Sequence, residues 1–259
     1  MSAALQVQDA HVVYRSRGRG EVHAVDGVSL ALDRGEIVGL VGESGSGKSS
    51  LARAVVGLER LHAGSITLDG VPVQPVGWRT RTDTRSQMVF QSPYASLNPR
   101  RTVGSQLRDG LPADVADPAA EVAALLERVG LPAEAAARYP HQFSGGQRQR
   151  IAIARAIAPR PEVLVADEPV TALDASAQAQ VVALLGSLVR DLGVGMLFIS
   201  HDLALVRHIA DRVGVMYQGR LVEQGPTEQV WRERRHPYTR ELIDAVPRLG
   251  AARRTKESA

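Results

Sequence analysis

Two glycine-rich segments, well separated along the chain, have residue types suited to holding phosphate. The first, Gly42-Glu43-Ser44-Gly45-Ser46-Gly47-Lys48-Ser49, has the spacing of a phosphate loop. In such a loop glycine backbone approaches the phosphates closely, Lys48 neutralises them and the Ser49 hydroxyl reaches Mg²⁺. The second is Phe143-Ser144-Gly145-Gly146-Gln147. One phosphate loop suffices for one nucleotide, so the second segment needs a separate reason.

Three further positions carry chemistry by virtue of where they fall. Asp167-Glu168 follows four apolar residues, which places two carboxylates at the end of a buried strand. In open α/β sheets that edge is where ligands bind. Asp167 is suited to hold Mg²⁺ through water, and Glu168 to polarise an attacking water. His201 follows Leu197 to Ser200 at a second such edge, aimed at a γ-phosphate. Gln91 follows Phe90 at the junction with a helical stretch, where a neutral amide can touch both Mg²⁺ and the attacking water. The other histidines, His11, His23, His62, His141, His208 and His236, have no comparable placement.

The elements that must position these groups follow from hydrophobic patterning. Val28, Leu30 and Leu32 alternate as a half-buried strand, predicting an N-terminal antiparallel sheet with the segment from Val7 to Tyr14. Ile37 to Val41, Val163 to Ala166 and Met196 to Ile199 are unbroken apolar runs, as strands buried on both faces require. Lys48 to Val56 reads as a helix after the glycine loop, and Met88-Val89-Phe90 as a strand. From Thr102 to about Ile157 the patterns are helical. Asp117-Pro118 caps a helix carrying Val122, Leu125, Leu126 and Val129, which Gly130-Leu131-Pro132 stops. A further helix carries Val181, Leu185, Leu188 and Leu192. The expectation is an α/β fold: a phosphate-loop NTPase core with a mostly parallel sheet, an N-terminal antiparallel β subdomain and an inserted α-helical subdomain.

The 259 residues are enough for one large domain with an insertion. Hydrophobic and charged contents of 44% and 23% are those of a soluble globular protein. The absence of cysteine excludes disulfides, thiolate metal sites and iron–sulfur clusters. No apolar run approaches the ~20 residues that span a bilayer, and the N-terminus does not start a signal peptide, so a cytoplasmic location is expected. Basic residues thicken towards the end, through Arg232, Arg234, Arg235, Arg240, Arg248, Arg253, Arg254 and Lys256. A solvated tail accounts for them, and nucleic acid is not an expected partner.

Ser144 to Gln147 precedes a helix from Arg148 to Ile157, whose N-terminus attracts anions. One nucleotide is not easily gripped by both glycine segments of one chain. A head-to-tail dimer solves this, with Ser144 and Gly146 completing the γ-phosphate site of the other subunit. With that, the ordered motifs resemble those of the ATP-binding subunit of an ABC transporter: phosphate loop, Gln91, the Ser144-Gly145-Gly146-Gln147 signature, Asp167-Glu168, the Ala172-Leu173-Asp174 loop and His201. The signature opens with Phe143 where leucine is commoner.

The resemblance implies ATP and Mg²⁺ as cofactors. Nucleotide contacts would come from Gly42, Ser44, Gly45, Gly47, Lys48, Ser49, Ser50, Ser144, Gly145, Gly146 and Gln147, with Tyr14, before the turn Gly18-Arg19-Gly20, stacked on adenine. Ser49, Gln91 and Asp167 would serve the metal; Lys48, Gln91, Glu168 and His201 the reaction; and Asp174 a contact across the dimer. It implies a single ABC ATPase domain over 1–247, helical subdomain inserted at about 92–158, and a basic tail over 248–259.

Phe90 to Arg100, with Ser92-Pro93-Tyr94-Ala95-Ser96-Leu97-Asn98-Pro99, is similar to the segment after the glutamine loop in dipeptide, oligopeptide and nickel importers. His236-Pro237-Tyr238-Thr239, Glu241-Leu242 and Ala245-Val246-Pro247 resemble their C-terminal motif. The Asn98-Pro99-Arg100 form looks like the second ATPase of each pair. The expected partners are a second ATP-binding subunit, two transmembrane permease subunits and, indirectly, an extracytoplasmic substrate-binding protein, at the cytoplasmic face of the membrane. Peptides are the expected cargo. The chain ends soon after Pro247, as nickel-type subunits do, which leaves a metal cargo as the alternative. A soluble ABC ATPase of ribosomes or DNA would carry a second cassette, a long coiled coil or a strongly basic insertion, none of which the sequence has. A non-catalytic subunit would lack one of the acting residues, and all are present.

Overall fold

Three unbroken apolar runs become the middle of a six-stranded sheet whose order is β10-β9-β3-β8-β7-β6. The computed structural model describes residues 3–16, 20–75, 83–92 and 96–245. Gly18, Arg19, Pro93, Tyr94, Ala95, Val246, Pro247 and the tail over 248–259 therefore lie outside the described residues. Strands β6 (Ser86–Val89), β7 (Val163–Asp167), β8 (Gly195–Ile199), β3 (Ile37–Val41) and β9 (Arg212–Tyr217) run parallel; β10 (Arg220–Pro226) pairs antiparallel at the edge.

Side chains alternate across a strand, so each central strand serves two cores. Val163, Val165, Leu197 and Ile199 face one of them, together with Leu51 and Val55 of helix α1 (Lys48–Val55). That core is closed by a second, antiparallel sheet, β2-β1-β4-β5. Its β1 (Leu5–Ser16) pairs with β2 (Gly20–Leu32) in a register that includes Val7 opposite Leu30, as the alternation implies. Strands β4 (Ala63–Leu68) and β5 (Val71–Pro72) complete it.

Leu164, Ala166, Met196 and Phe198 face the other core, shared with α4 (Gly145–Ile157), α5 (Ala175–Leu192) and α6 (Leu203–Ile209). Between β6 and β7 the described residues form α2 (Val103–Arg108), α3 (Pro118–Arg128), two 3₁₀ turns and α4, with no strand among them. Asp117 caps α3, accepting the Ala119 and Ala120 N–H groups at 3.0 Å, and Pro118 takes the first helical position, where its missing N–H costs nothing. Val122, Leu125 and Leu126 are the buried stripe. Boundaries shift slightly from the pattern: β6 stops at Val89, α1 at Val55, and α4 starts at Gly145.

After β10 come α7 (Thr227–Glu233) and α8 (Pro237–Asp244), whose Trp231 and Tyr238 are buried. The basic residues here are largely satisfied locally. Arg232 and Arg235 reach Glu233, Arg234 pairs with Asp244 at 2.5 Å, and Arg240 donates to the Arg235 carbonyl. Phe198 is wholly buried at the centre of the sheet. Phe198→Ala is expected to lower unfolding free energy by about 3–5 kcal/mol, measured by urea denaturation.

Candidate functional site

The parallel strands β3, β6, β7 and β8 end on one side of the sheet, and each chain segment leaving that side carries a residue singled out above: the phosphate loop after β3, Gln91 after β6, Asp167-Glu168 at β7 and His201 after β8. The loop depends on two glycines in backbone regions that side chains rarely enter. Gly42 has φ +148°, and a Cβ there would lie 2.1 Å from the Met216 carbonyl oxygen. Gly47 has φ +103°, with a Cβ 2.0 Å from the Ala24 carbonyl oxygen. Gly47 caps α1 without a side-chain hydrogen bond, which leaves N–H groups of the first turn for an anion.

Lys48 opens α1 and is 7% exposed. Its ammonium donates to the Gly42 and Glu43 carbonyls at 2.7 Å each and to Ser46 Oγ at 3.3 Å, all neutral oxygens. Burial pulls its pKa below the ordinary lysine value, partly countered by the carboxylates of Glu168, Asp167 and Glu43. Ser49 Oγ donates to Asp167 Oδ1 at 3.2 Å. Burial raises the Asp167 pKa against this bond, and the neighbouring Glu168 adds to the rise. A serine hydroxyl beside a carboxylate is a hard-oxygen donor pair that fits Mg²⁺, whose remaining positions are ordinarily filled by water and phosphate.

Glu168 sits at φ +49°, a strained region for a residue with a side chain, costing roughly 1–3 kcal/mol. Its N–H donates to the Ile199 carbonyl at 2.9 Å, which ties β7 to β8 at this point. Its Oε2 lies 2.8 Å from His201 Nδ1 and accepts the Thr171 hydroxyl at 2.8 Å. Both contacts fall on one carboxylate oxygen, Oε2. Thr171 was not singled out by sequence reasoning. Its signal is only its position, three residues after Glu168, where the turn brings the hydroxyl back.

Tyr14 lies at the flank of this cluster, 37% exposed, its hydroxyl 3.2 Å from Ser50 Oγ and 3.0 Å from Glu59 Oε2. The remaining residues gather elsewhere in the chain. Gln91 lines a cavity of about 330 Å³ with Ser92, Gly145, Arg148, Pro169 and Leu173. Ser144, Gly146, Gln147 and Asp174 line a neighbouring one of about 400 Å³. No residue of the phosphate loop is among the walls of either.

The signature glycines are the first turn of α4 rather than a loop before it. Ser144 caps that helix, its Oγ accepting the Gln147 N–H at 3.3 Å while Gln147 Oε1 accepts the Ser144 N–H at 3.0 Å. Phe143 is buried under the Arg138 guanidinium, 4.2 Å from its ring centre, so the ring fills the apolar place of the commoner leucine and adds a contact that leucine cannot make. Asp174 caps α5 by accepting the Ala177 N–H at 2.9 Å.

Another contact unforeseen in the sequence comes from the C-terminal motif. The Glu43 N–H, inside the phosphate loop, donates to the Tyr238 hydroxyl at 2.8 Å. The two residues are 195 positions apart, and only the fold brings them together.

Residues 25–171 match the ABC transporter family, and residues 222–259 match the oligopeptide/dipeptide transporter C-terminal region. The chain is 49% identical to a putative peptide import ATP-binding protein of Brucella abortus, covering 93% of this chain and 75% of that one. It is 43% identical to the oligopeptide transport ATP-binding protein OppF of Lactococcus lactis, covering 99% and 84%. It is also 49% identical to the dipeptide transport ATP-binding protein DppF of Haemophilus influenzae, covering 88% and 72%. Among solved structures, cbiO1 from Clostridium perfringens, part of the transporter complex cbiONQ, superposes with a TM-score of 0.76 at 28% identity, covering 90% of this chain and 92% of that one. The ATP-binding cassette MJ0796, solved as a dimer bound to ADP and Pi, shares the fold with a TM-score of 0.74 at 24% identity, covering 86% and 98%.

The Thr171 bond gives a specific expectation. Thr171→Val keeps the side-chain shape and removes the donor to Glu168, so kcat for ATP hydrolysis should fall about tenfold with KM for ATP unchanged, and Thr171→Ser should restore it. Steady-state phosphate release checks this.

Proposed function

The chain belongs to the ABC transporter family, and on that premise we propose how its residues use ATP and what the assembled machine moves. It is the ATP-binding, ATP-hydrolysing subunit of an ABC importer. The observation that carries the catalytic reading is the Glu168 carboxylate, pinned on one oxygen by His201 and Thr171 at the sheet edge that also presents Lys48.

In this reading Tyr14 packs on adenine, and the loop from Gly42 to Ser50 wraps the phosphates, with Ser44, Gly45 and Gly47 offering backbone N–H groups. Lys48 leaves neutral carbonyls for anionic oxygens, which is downhill for a buried ammonium. Ser49, with Asp167 behind it and Gln91 from the end of β6, would hold Mg²⁺, which neutralises charge on the phosphates when bound. Glu168 accepts a proton from the attacking water through Oε1, and His201 keeps that carboxylate oriented toward the γ-phosphate.

Ser144, Gly145, Gly146 and Gln147 point to a second subunit. They share their cavity with Asp174 and not with this chain's phosphate loop, which fits a head-to-tail pair in which the helix start of α4 completes the other subunit's site. ATP then bridges two chains, and its hydrolysis releases them. The residues over 1–247 act as one ATPase domain with a helical subdomain at about 92–158, and 248–259 as a tail.

A cleft of about 730 Å³ between β6 and the helical segment, lined by Phe90, Gln106, Asp109, Ala152 and Arg155, has the size and placement to seat a short cytoplasmic helix of a permease. Among the described residues no helix is long and apolar enough to cross a membrane. In this reading permease subunits provide the path through the membrane, and the chain works at its cytoplasmic face. Peptides are the cargo supported by the C-terminal match and by the relatives' names, delivered by an extracytoplasmic binding protein.

Glu168→Gln is expected to bind ATP with near-normal affinity, lose turnover by at least about 100-fold and accumulate an ATP-dependent dimer. Phosphate release and light scattering measure the two effects. Undiminished steady-state hydrolysis would remove Glu168 from its role.

A further inference from the structure

The C-terminal motif is tied to the nucleotide site through one peptide plane. The Gly42 carbonyl and the Glu43 N–H belong to the same planar unit, so whatever orients one orients the other. Lys48 Nζ holds the carbonyl at 2.7 Å, and the Tyr238 hydroxyl accepts the N–H at 2.8 Å. The plane is therefore gripped from both ends, once from within the loop and once from α8. Gly42 carries no side chain to restrict rotation of this plane, so the two bonds contribute directly to its orientation.

Tyr238 is itself firmly placed. Its ring packs on Tyr217 of β9, with centroids 4.2 Å apart, and it is 7% exposed. His236 caps α8 by accepting the Tyr238 N–H at Nδ1, 3.2 Å away. Before that cap, the turn from α7 is anchored to β10, because the Glu223 carboxylate accepts the N–H groups of Arg235 and His236 at 3.0 Å each. A chain of fixed contacts thus runs from the sheet edge to the phosphate loop.

We propose that Tyr238 is a positioning residue for nucleotide binding, holding the Gly42–Glu43 peptide when Lys48 turns from the loop carbonyls to the phosphates. This rests on the reading of Gly42 to Ser49 as the ATP-binding loop. With Lys48 on the loop carbonyls, two side chains among the described residues hold the plane; once Lys48 engages phosphate, the Tyr238 bond still holds it. Its hydroxyl touches neither the reacting atoms nor the catalytic carboxylate, so it governs affinity and leaves the chemical step alone. The C-terminal region, through α8, is by this route a determinant of how tightly each subunit holds ATP.

Tyr238→Phe keeps the ring against Tyr217 and removes only the hydroxyl. Equilibrium titration of the full chain with ATP and with ADP should show dissociation constants raised about three- to tenfold, the loss expected for one hydrogen bond, with kcat at saturating ATP within about twofold of wild type. Tyr217→Phe, which removes a hydroxyl from the same ring pair and spares the loop, should leave both dissociation constants unchanged. Unaltered nucleotide affinity in Tyr238→Phe overturns the inference, as does an equal weakening by Tyr217→Phe, which would mean general loosening of α8. If the wild-type chain bound neither nucleotide, the phosphate-loop reading would fall and this inference with it.

Discussion

A buried ammonium whose direct partners are all neutral oxygens organises this molecule. Lys48 is nearly sealed from water, and the carboxylates of Glu168, Asp167 and Glu43 act on it through charge, none of them among its hydrogen-bond partners in the described residues. Taking such a charge out of water is costly unless oxygens surround it, so the loop from Gly42 to Ser46 folds its carbonyls and hydroxyl around the ammonium. That arrangement dictates glycine at positions 42 and 47, where backbone carbonyls of Met216 and Ala24 leave no space for a side chain. It also requires β3 at the centre of the sheet, because only a strand flanked by β8 and β9 delivers the loop among the other strand ends.

The carboxylates obey the same constraint from the opposite sign. Burial drives the Asp167 pKa up, and the Ser49 hydroxyl is the contact that works against it most directly. Glu168 accepts backbone strain in order to stand where it does, and it is secured by Ile199 through its N–H and by Thr171 and His201 through its side chain. Strain held by several independent contacts is a mark of a position that the surrounding fold over-determines.

Much of this was legible in the sequence because the core strands have no polar face. Ile37 to Val41, Val163 to Ala166 and Met196 to Ile199 could only be interior strands, and the residues following them had to share an edge once the strands were parallel. Asp117-Pro118 announced a helix start for a local, steric reason. Strands β4, β5, β9 and β10 were not marked out: β5 has two residues and β10 is a half-exposed edge whose apolar residues do not alternate cleanly. The start of α4 was misplaced because Gly145 and Gly146 are poor helix formers that the Ser144–Gln147 capping box overrides. Tyr238 on Glu43 had no local signal at all, being a contact between the two ends of the chain.

The six-stranded sheet also separates two materials. On one side, α1 and the antiparallel sheet form a core that, among the described residues, includes none of the helical segment; on the other, the helical segment shares its apolar interior with Phe198, Leu164 and their neighbours. The strands are a common wall, and the side chains on its two sides do not interdigitate. A change of packing among the helices on one face therefore need not reach the side chains on the other.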